Sequence, residues 1–294
     1  MRKAYCDLRI DKKRKVATVT FNRPEKLNAV NLEGIDEWRK KMQQAEADEN
    51  VKVIVLKGAG RCFGTGFDAA EIGPHIGIGK PGERRASQRQ RLLAMGKVHY
   101  GVTGYCNLPH FILKPIIAQV HGYCYGGHFE IATACDMTIA SDDAKFTHPG
   151  YRMIGPLPDG MVTLFLTIGI KRTKELMFTG KSLSAQEALE YGLVNKVVPS
   201  NKLGDAVNEM IDTIVRQPFD GLVMGKANFQ MALDFAGVGH CITAGFMAHT
   251  WQTNIRYEPG EFNLVGARGK MGLKAALEER EKLFAHSRLG DKKE

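Results

Sequence analysis

Long apolar runs are missing from this 294-residue chain. None approaches the roughly 20 residues that a membrane-spanning helix needs, which argues against integral membrane insertion. The amino-terminal stretch MRKAYCDLRIDKKRK has no apolar core of the kind a secretory signal carries, and the carboxyl-terminal GDKKE is only a charged tail. Paired cysteines are missing too. Cys6, Cys62, Cys106, Cys124, Cys135 and Cys241 are scattered without a single C-x-x-C, so they read as small buried hydrophobes in a reducing compartment rather than as a disulfide or zinc framework. There are no internal repeats and no low-complexity linkers. These absences leave a soluble cytoplasmic protein as the expectation.

What is present fits a globular chain: 44% apolar and 25% charged residues, enough to bury a sizeable core as one large domain or two small ones. Lysine and arginine (41) exceed aspartate and glutamate (32), and the resulting +9 favours anionic partners without choosing among nucleic acid, membrane surface and phosphorylated small molecules. No basic stripe interleaved with aromatics and no nucleic-acid module accompanies that charge, so nucleic acid and membrane are not expected partners.

The first half alternates strand and helix signals. Residues 15–21 and 51–56 read as strands, the second apolar almost throughout, as a parallel strand covered on both faces should be. Between them, residues 31–47 place Leu32, Ile35, Trp38 and Met42 at helical spacing behind Asn31 as a cap. Residues 83–97 form a basic helical part with Arg84, Arg85, Arg89 and Arg91. Residues 114–120, 137–140 and 145–148 are further strands. Residues 121–127 read as a turn, 128–135 as a short helix, and 160–170 as a helix following Asp159. Such alternation implies crossover units around a mostly parallel sheet. From about residue 203 the strand signals stop and the chain reads as helical. The expected division is an α/β core over 1–202 and a helical region over 203–294.

Three glycine-bearing turns follow apolar segments: RCFGTGFD (61–68), GYCYGG (122–127) and GPLPDG (155–160). Glycine lets a ligand lie against bare backbone, and a turn entering a helix offers unpaired N–H groups and a partial positive charge. Two such N–H groups converging on one carbonyl oxygen make an oxyanion hole. Each glycine set, taken alone, reads first as a set of tight turns.

Five motifs then occur in order: NRPEKLNA (22–29), FGTGFD (63–68), KPIIAQVHGYCYGG (114–127), ACD (134–136) and SLSAQEALEYGLV (182–194). Together they resemble the crotonase (enoyl-CoA hydratase/isomerase) superfamily over residues 6–285. The resemblance implies a spiral of ββα repeats with a carboxyl-terminal helical trimerisation region. It further implies an acyl-CoA substrate, no metal, no permanently bound cofactor beyond the coenzyme A of the substrate itself, and a homo-oligomer, a trimer or a dimer of trimers. By family position the backbone N–H groups of Phe67 and Gly127 grip the thioester carbonyl. Lys26, Leu27 and Ala29 match the loop along the coenzyme, and Gly64, Gly126, Gly150 and Tyr151 line the substrate. Arg84, Arg85 and Arg89 either assist the coenzyme or form a solvated helix face. Where the family has a coenzyme-binding lysine on the final helix, this chain has Glu279, flanked by Arg280 and Lys282.

Hydration of a conjugated thioester needs a carboxylate to activate water and a proton source for the α-carbon. The resemblance assigns the first task to Glu130. The second carboxylate of crotonase-like hydratases is replaced by Gly150 in FTHPGYR (146–152). Asp159 is its substitute by family position, or else the N-cap of the following helix. His128, His148 and Tyr151 are weaker candidates, each also readable as a buried, hydrogen-bonded side chain. Asp68 and Asp136 are structural by family position. These assignments lead to water addition at, or elimination to, a 2-enoyl-CoA. Dienoyl or enoyl isomerisation, thioester hydrolysis and carbon–carbon cleavage on the same enolate are the alternatives, with an RNA-binding homologue as an alternative of another class.

Overall fold

The computed structural model describes residues 4–71, 87–99, 104–149, 161–251 and 257–283. The chain opens with an antiparallel pair, β1 (Cys6–Asp11) and β2 (Val16–Phe21), followed by α1 (Leu32–Ala47) and β3 (Val53–Gly58). Asn31 caps α1, its side chain accepting from the Gly34 N–H, and Ile35, Trp38 and Met42 form the buried stripe. Next come α2 (Gln88–His99), the single-turn α3 (Leu108–Phe111), β4 (Ile116–Val120), β5 (Tyr123–Tyr125) and α4 (Gly127–Ala134). They are followed by β6 (Met137–Ser141), β7 (Lys145–Thr147), α5 (Met161–Ile168), α6 (Ile170–Thr179), β8 (Leu183–Ser184), α7 (Ala185–Glu190) and β9 (Lys196–Val198). Helices α8 (Leu203–Ile214), α9 (Phe219–Phe235), α10 (Val238–Trp251), α11 (Leu264–Met271) and α12 (Leu273–Leu283) complete the order.

The large sheet runs β1-β2-β3-β4-β6-β9, parallel from β2 onward, and a small sheet runs β5-β7-β8. Strand β4 in the large sheet leads to β5 in the small one and then to α4; β6 leads to β7 and then towards α5. This is a spiral of ββα turns, the fold class that the motifs imply. Apolar side chains leave both faces of the large sheet. Ile54, Leu56, Ile116 and Ala118 pack with α1 and α4, while Val53, Val55 and Ile117 meet Leu203, Val207 and Ile211 of α8. Double coverage is why β3 reads as a continuous apolar run instead of an alternating one.

Several details differ from the sequence reading. The expected turn over 121–127 contains the short strand β5, paired in parallel with β7; three residues carry too little periodicity to reveal a strand. The helix expected to reach residue 170 ends at Ile168 and restarts as α6 after Gly169, whose φ is 82°. The basic helix begins at Gln88 among the described residues, with Arg89 exposed and Arg91 buried; burial draws the Arg91 guanidinium down to about 10. Not every cysteine is buried: all six are free thiols, Cys135 is half-buried and Cys241 is exposed on α10. No single helix among the described residues is long and apolar enough to cross a membrane; α9 and the first part of α10 reach that measure only jointly, across a 59° bend.

Candidate active site

The site is built where the first two glycine turns meet. The segment after β3 returns beside β5 through two backbone hydrogen bonds, Gly64 N–H to the Tyr123 carbonyl and Tyr125 N–H to the Gly64 carbonyl, each 2.9 Å. Two residues on, Gly66 has a φ of +85°, a conformation that L side chains rarely adopt, and a Cβ there would stand 2.8 Å from the Gly127 nitrogen. The two bends therefore touch at backbone level.

Phe67 follows Gly66 directly. The Gly66 carbonyl accepts from Val30 N–H at 2.9 Å and Asp68 N–H donates to the Val30 carbonyl at 2.7 Å, which turns the N–H of Phe67 away from Val30. Gly127 is the first residue of α4, so its N–H has no intrahelical acceptor. The preceding bend is fixed by Gly126 N–H donating to the Thr147 carbonyl at 3.0 Å. Behind both lies Tyr105. It is fully buried, its ring 5.5 Å from that of Phe67, and one of its carbons would lie 3.3 Å from a Cβ on Gly127. Burial pushes its phenol well above the usual range, so it stays protonated. Nothing in residues 69–112 marked Tyr105, because that segment matches no motif.

One turn into α4, Glu130 is buried, its N–H donating to the Gly126 carbonyl at 3.1 Å. Its Oε1 lies 2.8 Å from Nε2 of His148, itself buried at the end of β7. With Glu130 ionised, Nε2 carries the proton and donates. A carboxylate is thus held by an imidazole one helical turn from the Gly127 amide. His148 is thus a buried, hydrogen-bonded side chain, the reading set beside its candidacy as an acid or base. Sequence spacing could not show the pair, because the two lie 18 positions apart with two strands between them.

The loop over 22–29 packs on the first glycine turn. Leu27 and Asn28 take φ of 53° and 57° after a 3-10 turn, Pro24–Lys26. The buried Asn28 amide donates to the carbonyls of Ala59 and Cys62, both at 2.9 Å, and Leu27 accepts from Thr65 N–H at 3.2 Å. Ala29 donates its N–H to the Lys26 carbonyl, and Lys26 itself is exposed at the rim. Arg23 pairs with Asp68 at 2.9 Å and with Glu71 at 2.7 Å; Asp68 Oδ1 also accepts from Ala70 N–H. Asp136 accepts from Ile116 N–H at 2.7 Å and from Lys226 of α9 at 2.6 Å. Both aspartates are engaged in holding backbone. Glu279 is exposed on α12, where Arg280 pairs with Glu281 at 2.7 Å. Gly150, Tyr151, Asp159, Arg84 and Arg85 lie outside the described residues. Among the described residues, no group of three His, Cys, Asp or Glu side chains could hold a metal ion.

The geometry thus joins Phe67, Gly127, Glu130, Gly64 and Gly126 in one place, with the 26–29 loop beside them. Two main-chain donors next to a buried carboxylate can stabilise a developing oxyanion while a proton moves nearby. A family model described as enoyl-CoA hydratase/isomerase matches residues 11–250. The short-chain-enoyl-CoA hydratase of Clostridium acetobutylicum is 34% identical over 210 residues, which span 70% of this chain and 74% of that protein. The (E)-benzylidenesuccinyl-CoA hydratase of Thauera aromatica is 36% identical over 203 residues, 68% of this chain and 72% of that one. The crystal structure of an enoyl-CoA hydratase/isomerase from Xanthobacter autotrophicus Py2 superposes with a TM-score of 0.81 at 26% identity, covering 96% of this chain and 99% of the other. With its spiral of ββα turns and the two glycine bends in contact, the chain belongs to the enoyl-CoA hydratase/isomerase family.

Proposed function

We propose that this chain adds water to, or eliminates it to form, a 2-enoyl-CoA. The N–H groups of Phe67 and Gly127 hold the thioester oxygen, and Glu130 accepts the proton of the attacking water. Electrons displaced by attack at the β-carbon reach the thioester oxygen as an enolate, the species that preorganised donors stabilise most. Reprotonation at the α-carbon completes the reaction. With glycine at 150, the described residue that shares the proton load with Glu130 is His148, and Asp159 is the carboxylate expected from beyond it. The observation that carries this reading is the buried Glu130–His148 pair, 2.8 Å apart, one helical turn from the Gly127 amide.

Exposed Lys26 and the +9 net charge suit the phosphates of coenzyme A. A glycine at 150 leaves room for a bulky or cyclic acyl group, a reading supported by the Thauera relative, an (E)-benzylidenesuccinyl-CoA hydratase. The active form is proposed to be a homo-oligomer, a trimer or a dimer of trimers.

Incubation with crotonyl-CoA, following loss of the conjugated thioester absorbance, tests the reading. Glu130→Gln should lower kcat by about a thousandfold or more while coenzyme A still binds, since it keeps the shape and removes the base. Unchanged turnover in that variant would remove Glu130 from the mechanism. Conversion of a 3-enoyl-CoA without any hydration of crotonyl-CoA would replace hydration by isomerisation.

A further inference from the structure

His128 occupies a position that the reaction scheme leaves unused. It follows Gly127 in α4, while Gly66, which precedes Phe67, donates its N–H to Nδ1 of His128 at 2.9 Å. One hydrogen bond therefore links the residue after one amide donor to the residue before the other. The ring is wholly buried. It stands edge-on to Phe21 with centroids 4.4 Å apart and edge-on to Phe63 at 5.7 Å. A Cβ on Gly64 would fall 2.2 Å from its Cδ2, so the bare glycine is the slot into which the imidazole fits. Because Nδ1 accepts, the ring's proton sits on Nε2. Burial depresses the imidazole to about 3, which keeps Nδ1 an acceptor throughout the ordinary pH range.

Gly66 makes this bond matter. With no side chain and a φ of +85°, Gly66 by its own sterics lets the peptides on its two sides turn relative to each other. The Val30 N–H holds the following peptide through the Gly66 carbonyl, and His128 holds the preceding one through the Gly66 N–H; a buried N–H left without an acceptor would seek another partner. We infer that His128 is a positioning residue for the amide pair: by holding the Gly66 N–H it fixes the peptide that enters Gly66, and together with Val30 it sets the direction of the Phe67 N–H relative to that of Gly127. The inference deepens, and rests on, the reading of those two amides as the thioester-oxygen site. A core side chain present only to fill space would need no acceptor at Nδ1.

The test compares three variants with the parent protein. In His128→Leu the acceptor is lost at similar volume, in His128→Asn an oxygen stands near the place of Nδ1, and in His128→Gln the oxygen reaches past it. The readouts are kcat and KM with crotonyl-CoA, and the infrared carbonyl band of bound butyryl-CoA isotope-labelled at its thioester carbon. The parent should shift that band to lower frequency. The leucine variant should lose most of the shift and about ten- to a hundredfold in kcat, with KM changed by less than about threefold, as expected when a donor is misaimed rather than removed. The asparagine variant should recover both. Full shift and full kcat in the leucine variant would overturn the role. If that variant does not fold, asparagine and glutamine carry the comparison: a larger shift in asparagine supports the role, and equal shifts in the two overturn it. A parent that binds butyryl-CoA with no shift at all overturns the amide pair itself, and this role with it.

Discussion

At the scale of single residues, the site depends on atoms that are not there. Gly64 yields its side-chain volume to an imidazole and Gly66 yields its own to an amide nitrogen. Gly66→Ala puts a methyl 2.8 Å from the Gly127 nitrogen and forces a left-handed alanine. The expected stability cost is about 1–2 kcal/mol from the backbone alone, and the expected loss of kcat is at least about a hundredfold because the two donors are driven apart. Gly204, at the start of α8 with nothing within 4 Å of its Cβ position, is the control. Its alanine variant should keep full activity and gain up to about 1 kcal/mol. Paired urea titrations and crotonyl-CoA assays decide the matter, and equal activity in the two alanine variants would sink the argument. Gly64 and Gly66 both belong to a motif visible in the sequence. The reason each must be glycine is not visible, since the atom that fills the space comes from a residue some 60 positions away.

At the scale of elements, α3 and α4 each carry a histidine held neutral by burial. His110 on α3 is depressed from 6.5 to about 4, with Lys226 adding to the effect, and His128 on α4 from 6.5 to about 3. The unfolded chain binds those protons near pH 6.5 and the folded chain does not, so stability falls as pH drops from there toward the folded values. The slope is up to about 1.4 kcal/mol per pH unit for each histidine. Urea midpoints between about pH 7 and about pH 5 read it. His110→Gln should flatten the dependence by about half, and an unchanged slope would rule out His110 as a source. The short strand β5 belongs to this scale as well. It brings Tyr125 and Gly126 against β7, which carries His148 towards Glu130. A three-residue strand gains its identity from its partner, and the paired residues lie 22 positions further on.

For the molecule as a whole, the two faces of the large sheet are closed differently. Helix α8 covers one face, while α1, α4 and the small sheet cover the other, where the site is built. The later helices leave large apolar side chains exposed, with Met224 at 66%, Phe229 at 73% and Phe235 at 88% of their surface on α9 alone. Large apolar side chains left exposed together on one helix commonly mark an association surface. Helix α9 is nonetheless tied to the body by the Lys226–Asp136 pair, so this face is presented by a fixed element. Sedimentation should give three or six chains per particle, and Phe229→Glu with Phe235→Glu should shift the particle towards single chains. A parent protein sedimenting as a single chain at micromolar concentration would contradict the proposed assembly.

The sequence by itself determined the period-two and period-3.6 patterns, the Asn31 cap, the doubly covered parallel sheet and the glycine turns whose order marks the family. Each of these is local or repeats along the chain, so neighbouring residues are enough to show it. Tertiary structure alone decided that the Gly66 and Gly127 backbones touch, that His148 meets Glu130, and that His128 faces Gly66. Those contacts close loops of 18 to 62 residues, and their reward comes from burying polar groups against specific partners. No window along the chain contains both members of any such pair.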